Sequence, residues 1–103
     1  MSYKIKISPI AHDDIRGIYD YVLKDGESIA LNQVDEIYDA LSVLSEFPLI
    51  GKELSSYVAR KTDYRYIVIR KLYLAFYKIE IDEIKVLRIF RKDVDYLAKL
   101  RLK

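Results

Sequence analysis

Thirteen lysines and arginines fall within residues 60–103 against six aspartates and glutamates, so this stretch carries +7. Residues 1–59 hold five basic and ten acidic side chains and carry −5, and the chain total is only +2. Cations gathered in this way attract phosphates or an acidic protein surface by long-range Coulomb steering, which the near-neutral total conceals. The candidates for contact with such a target are Arg60, Lys61, Arg65, Arg70, Arg91 and Lys92. Each has an ordinary alternative, a solvated surface charge or a partner for Asp or Glu across a sheet. Tyrosines are interleaved with them. Tyr64, Tyr66, Tyr73 and Tyr77 read either as the amphipathic face of a sheet or as a platform on which bases or a partner stack.

Other chemistries have little material. The chain has no cysteine, which removes disulfides, thiolate metal ligands and a cysteine nucleophile together. Its one histidine, His12, stands in the first turn of an expected helix, far in sequence from the basic segment, and reads as an exposed or partly packed helix residue. No residue set has the spacing of a metal site or a nucleophile triad, and no cofactor is implied.

The elements that must position these side chains follow from periodicity. Residues 3–8 alternate, with Tyr3, Ile5 and Ile7 on one face, which predicts a short half-buried strand. Ser8 and Pro9 form an N-cap and first-turn proline, with Asp13 and Asp14 close enough to favour the helix dipole. Ala11, Ile15, Ile18 and Val22 then recur at helical spacing until Asp25 and Gly26 close the run. A second helix from Ser28 carries Ala30, Val34, Ile37, Leu41 and Leu44 on one stripe and ends before Phe47-Pro48. The two should pack as an antiparallel hairpin, with Asp20, Asp35, Glu36 and Asp39 on its solvated faces.

Residues 49–63 hold neither period and predict a loop with, at most, one further helical turn. Residues 64–71, 73–81 and 84–90 are rich in Tyr, Val and Ile and predict three antiparallel strands, with Asp82-Glu83 as the last turn. Residues 94–102 place Leu97 and Leu100 at helical spacing, as a short terminal helix or a frayed tail. The expected fold is α+β, in the order β-α-α-β-β-β, with the helical hairpin on one face of a mainly antiparallel sheet. A length of 103 residues suits one domain, at roughly 100 residues per independent core. No run approaches the roughly 18 apolar residues of a membrane span, and residues 1–8 lack the apolar core of a leader, so a cytoplasmic location is expected.

Several short motifs now line up in order. Ile7, Ser8, Pro9, Ala11 and Asp14 form the first; Leu44, Pro48, Gly51 and Leu54 follow the second helix; then come Tyr64-Arg65, Phe76-Tyr77, Arg88-Ile89, and Asp95-Tyr96 with Leu100. Together these resemble the RelE/ParE superfamily of toxins from type II toxin–antitoxin systems, the plasmid-stabilisation type, over nearly the whole chain. The resemblance implies a growth-inhibiting toxin held in a hetero-oligomer by a cognate antitoxin that covers its basic face. Two activities occur among such proteins. RelE-like members cut messenger RNA in the ribosomal A site, and ParE-like members poison DNA gyrase.

RNA cleavage by 2′-hydroxyl attack needs a base, an acid and cations on the phosphate. By resemblance to RelE-like toxins, Arg65, Arg88 and Arg91 would supply cations and Tyr96 the carboxy-terminal tyrosine. A phenol of ordinary pKa near 10 is a poor base unless cations lower it. The sequence departs from the nuclease pattern at Leu74, where an arginine often stands, and at Arg91, where many relatives carry histidine. A leucine cannot stabilise a pentavalent phosphate, and no group titrating near neutrality replaces the histidine. The expectation is therefore a ParE-like gyrase inhibitor, with an mRNA interferase as the alternative and a non-toxic nucleic-acid-binding or protein interaction module as the second.

Overall fold

In the computed structural model the described residues are 2–56 and 62–100, the side chains of Ser56 and Leu97 excepted. Arg60 and Lys61 thus lie outside the described residues, as does the Leu97 side chain. Strand β1 (Lys4–Ile7) leads into α1 (Pro9–Val22), and Ser8 joins them. Its Oγ accepts from the Ala11 N–H at 3.1 Å and donates to the Leu87 carbonyl at 2.9 Å, so one side chain caps the helix and ties it to the sheet. Pro9 follows at the helix start, where its missing N–H costs nothing. A 3₁₀ turn over Leu23–Asp25 ends at Gly26, whose φ of 126° is a value that side-chain-bearing residues rarely adopt. Helix α2 (Glu27–Val43) then runs back along α1.

The loop expected over residues 49–63 contains a further short element. Strand β2 (Lys52–Glu53) pairs with the start of β3 and is followed by a 3₁₀ turn over Leu54–Ser56. Two residues are too few to show a period. Strands β3 (Arg65–Ile69), β4 (Tyr73–Ile79) and β5 (Glu83–Arg91) follow, and α3 (Tyr96–Lys99) closes the described chain. The sheet order is β1-β5-β4-β3-β2, with β1 parallel to β5 and every other pair antiparallel. The parallel pair needs a long crossover, which the helical hairpin begins. Arg70 and Lys71 both have positive φ, at 56° and 60°, as a type I′ turn between β3 and β4 requires. The β4–β5 turn sits one residue earlier than expected: the Glu80 N–H donates to the Glu83 carbonyl, leaving Ile81-Asp82 as the two turn residues.

The core occupies both faces of this sheet. On one face the predicted helix stripes, Ala11, Ile15, Ile18 and Val22 with Ala30, Ile37, Leu41 and Leu44, bury against Ile69, Tyr73, Ala75, Tyr77, Ile84, Val86 and Ile89. Burial of each large side chain contributes about 1.5–3 kcal/mol before entropy is set against it. On the other face Leu54, Leu74, Phe76 and Phe90 form a second cluster under Tyr64, Tyr66, Val94, Tyr96 and Leu100. The register slips by one between Phe76 and Tyr77, where Val86 and Arg88 face successive β4 residues and Leu87 is extra. That bulge keeps Ile84, Val86 and Ile89 on the helix side although their spacing breaks strict alternation. No helix among the described residues is long and apolar enough to cross a membrane.

Candidate functional site

The bulge in β5 decides where the expected site arginines point. Arg88 pairs across the strands with Phe76, on the second face, whereas Arg91 pairs with Tyr73, on the helix face. Arg88 turns around the sheet edge to Asp14 of α1, with Nε to Oδ2 at 2.8 Å and its other contact to Oδ1 at 3.0 Å. Asp14 Oδ2 also accepts from the Ile89 N–H at 2.9 Å. β1 stops at Ile7, opposite Val86, and beyond that point the Asp14 carboxylate serves the exposed edge of β5 as a missing strand would. Asp14 therefore lies past the first helical turn, and its work is in the sheet rather than on the helix dipole that the sequence suggested for it.

Arg65 sits at the opposite end of the helix face. It donates to the Gly51 carbonyl at 2.9 Å and to Glu53 Oε1 at 3.2 Å, and only 20% of its side chain is exposed. Its strand partner, Tyr77, is buried. The Tyr77 hydroxyl donates to the Pro48 carbonyl at 2.7 Å and accepts from the Gly51 N–H at 3.0 Å, which fastens the segment after α2 to the sheet. A Cβ on Gly51 would stand 2.5 Å from that hydroxyl and 2.8 Å from the Tyr66 carbonyl, so the backbone's close approach requires glycine. Burial pushes the Tyr77 phenol up, partly offset by the Gly51 hydrogen bond.

Arg65 and Arg91 oppose Tyr77 and Tyr73, which are four residues apart on β4. At about 3.3 Å per residue they are separated by roughly 13 Å along the strands, besides two strand spacings of about 4.8 Å. Tyr96 lies on neither arginine. Its ring packs on Phe76 with centroids 5.2 Å apart, on the second face, where Arg88 also covers Phe90 at 4.5 Å. The structure thus places Arg88 and Tyr96 around one aromatic cluster and sets Arg65 and Arg91 at two ends of the other face. Arg70 is held by Glu36 of α2 at 2.6 Å. His12 Nδ1 meets the Tyr38 hydroxyl at 3.1 Å on the exposed helical hairpin, away from the sheet cations. Leu74 is buried in the second cluster. Among the described residues no group of His, Asp and Glu is placed to hold a metal ion.

Around Arg91 the side chains do converge. The end of α1, the 3₁₀ turn after it, the β3–β4 turn and the end of β5 enclose a cleft of ≈ 440 Å³, whose lining includes Tyr21, Gln33, Leu72, Tyr73, Arg91 and Lys92. The Tyr21 ring stacks beneath two cations, Lys24 Nζ at 4.0 Å and the Arg91 guanidinium carbon at 4.7 Å from its centroid. Lys24 first and Arg91 second hold the Tyr21 phenol below its ordinary value. Tyr73 is its opposite: burial raises that phenol, and its hydroxyl donates to Gln33 Oε1 at 2.6 Å.

Residues 5–96 match the model of the ParE toxin of the type II toxin–antitoxin system parDE. The chain belongs to the ParE toxin family. Among solved structures, this ParE-family toxin is similar to a chain of the chromosomal ParDE toxin–antitoxin system from P. aeruginosa, at 25% identity and a TM-score of 0.74, covering 87% of this chain and 96% of that one. A chain of the toxin–antitoxin complex RelBE2 from Mycobacterium tuberculosis shares the fold, with a TM-score of 0.56 at 18% identity over 89% of this toxin and 100% of that chain. No curated relative matches.

For this toxin, the sequence singled out Arg91 and Lys92 of the cleft lining but not Tyr21 or Gln33, nor Lys24, which stands over the Tyr21 ring. Tyr21 and Lys24 stand three apart, a spacing that places them together on a helix surface, and this was the available signal. Nothing local to the sequence connects them with Arg91, seventy residues away.

Proposed function

We propose that this toxin is a ParE-like growth inhibitor that acts in the cytoplasm on DNA gyrase and is neutralised by a cognate antitoxin. The observation that carries binding over RNA cleavage is the dispersal of Arg65, Arg88, Arg91 and Tyr96 over two sheet faces. Acid–base cleavage needs its groups within hydrogen-bond reach of one phosphate. Arg65 and Arg88 are moreover spent on fixing the loop after α2 and the edge of β5. A binding surface has no such requirement, and the 25%-identical chain belongs to a ParDE system.

The partner reading is supported by one unfinished sheet edge. β2 pairs only with Arg65 and Tyr66, so among the described residues the rest of β3 has no outer strand. Beside that edge Ala40, Val43, Ile50, Ile67 and Val68 line an apolar groove of ≈ 350 Å³. An antitoxin segment adding a strand and seating apolar anchors there would use both features. Expressing the chain alone in a bacterium is expected to arrest growth, and co-expression of a small acidic protein encoded beside it is expected to restore growth. Purified toxin added to translating ribosomes should leave the message intact. Indifference to expression, or ribosome-dependent cleavage, would overturn the proposal.

A further inference from the structure

The cleft beside Tyr21 has a charge pattern that selects the size of its ligand. Lys71, Arg91 and Lys92 line it, opposed by Asp25 and Asp93, and Lys24 stands over the Tyr21 ring beside it. Lys71 and Lys92 have no ion-pair partner among the described residues, whereas the Arg91 fork, besides lying over Tyr21, engages both oxygens of Asp93, two residues on, at 3.3 and 3.4 Å. That pair is exposed, with 40% and 70% of the two side chains accessible, and such a pair contributes little. The Arg91 fork is therefore available for exchange onto an incoming anion, which it can grip with two parallel bonds. Its position is already fixed by stacking over Tyr21, as is that of Lys24. Gln33 uses its oxygen for Tyr73, which leaves its amide N–H groups as further donors.

Two observations narrow the anion. Asp20, Asp25 and Asp35 are exposed on the adjoining hairpin, beside Glu36, whose charge is met by Arg70. A continuous polyanion leaving the cleft on that side would run against them, whereas a single charge would not. The wall is also apolar: Val22 is buried in it, and the rims formed by Tyr21 and Leu72 are 53% and 49% exposed. We propose that this cleft receives one carboxylate of a partner peptide, with Arg91 and Lys71 holding the charge and a neighbouring apolar side chain seated against Tyr21 and Leu72. The site goes beyond the target reading, because it recognises a protein segment whichever enzyme the toxin inhibits.

The test is a titration of the purified, isotope-labelled chain followed by amide resonances. The probe is an N-acetylated, C-amidated tetrapeptide with one glutamate between leucines, set beside its glutamine twin, inorganic phosphate and a short oligothymidylate. Saturable shifts at Tyr21, Leu72 and Arg91 with the glutamate probe are expected, about tenfold weaker with the glutamine twin. Arg91→Gln and Lys71→Gln should each weaken the glutamate probe while leaving the remaining spectrum in place. Equal response to both peptides, undiminished binding in both variants, or tighter binding of phosphate or oligothymidylate would overturn it.

Discussion

Replacing Asp14 by alanine removes three hydrogen bonds at once, because one carboxylate serves the Arg88 guanidinium twice and the Ile89 N–H once. An orphaned, partly buried amide costs about 1–3 kcal/mol, and a charge-assisted bond contributes about 1.5–3 kcal/mol. The second figure must be discounted, because 22% of the Arg88 side chain is exposed and water can rehydrate its guanidinium. The expected total loss is about 3 kcal/mol, which for a domain of this size lowers Tm by about 12–24 °C. Urea unfolding should show the midpoint falling with the slope unchanged. Asp14→Asn keeps one acceptor for the Ile89 N–H but loses the charge, and should cost about half as much. A double-mutant cycle with Arg88→Met isolates the ion pair from the amide bond. A loss under about 0.5 kcal/mol for Asp14→Ala, within the range of ordinary surface changes, would refute the role given to Asp14 as the substitute strand at the β5 edge.

Gly51→Ala should destabilise by about 1–3 kcal/mol in thermal melts, because its methyl would collide with the Tyr77 hydroxyl and the Tyr66 carbonyl. The Tyr73 and Tyr77 phenols are raised by burial, so the unfolded chain releases those protons first. Stability should therefore be unaffected by these groups at neutral pH and fall as pH rises above about 10; Tyr77→Phe should shrink that alkaline loss. Tyr21 has the opposite sign and should be an early phenol to ionise in an ultraviolet titration, returning toward ordinary behaviour in Lys24→Gln. Arg65→Ala should lose stability by about 1–2 kcal/mol and toxicity with it, whereas Arg91→Ala should weaken growth inhibition with an unchanged melt. Equal melts for the two would remove that distinction.

The helical layer was legible almost residue by residue. Ala11, Ile15, Ile18 and Val22 are the buried face of α1, and Ser8 caps it, because local periodicity and capping chemistry act within a few residues. β2 was not legible, since a two-residue strand exists only through its partner β3. The face assignment of Arg88 and Arg91 was equally hidden: one extra residue at Leu87 inverts the alternation, and that bulge shows only against the β4 register. The same holds for the site. Cations can be counted in a sequence, but whether Arg88 is committed to Asp14 or Arg91 lies over Tyr21 depends on elements seventy or more residues apart. Leu74 is the converse case, where an apolar residue in place of an expected arginine was visible in the sequence, and it lies in a buried aromatic cluster.

The most direct measurement is plasmid supercoiling by purified DNA gyrase in the presence of the purified toxin, beside ribosome-programmed messenger RNA treated in parallel. Loss of supercoiling with intact message, reversed by the cognate antitoxin, is the predicted result. Cleaved message with undisturbed supercoiling would contradict it.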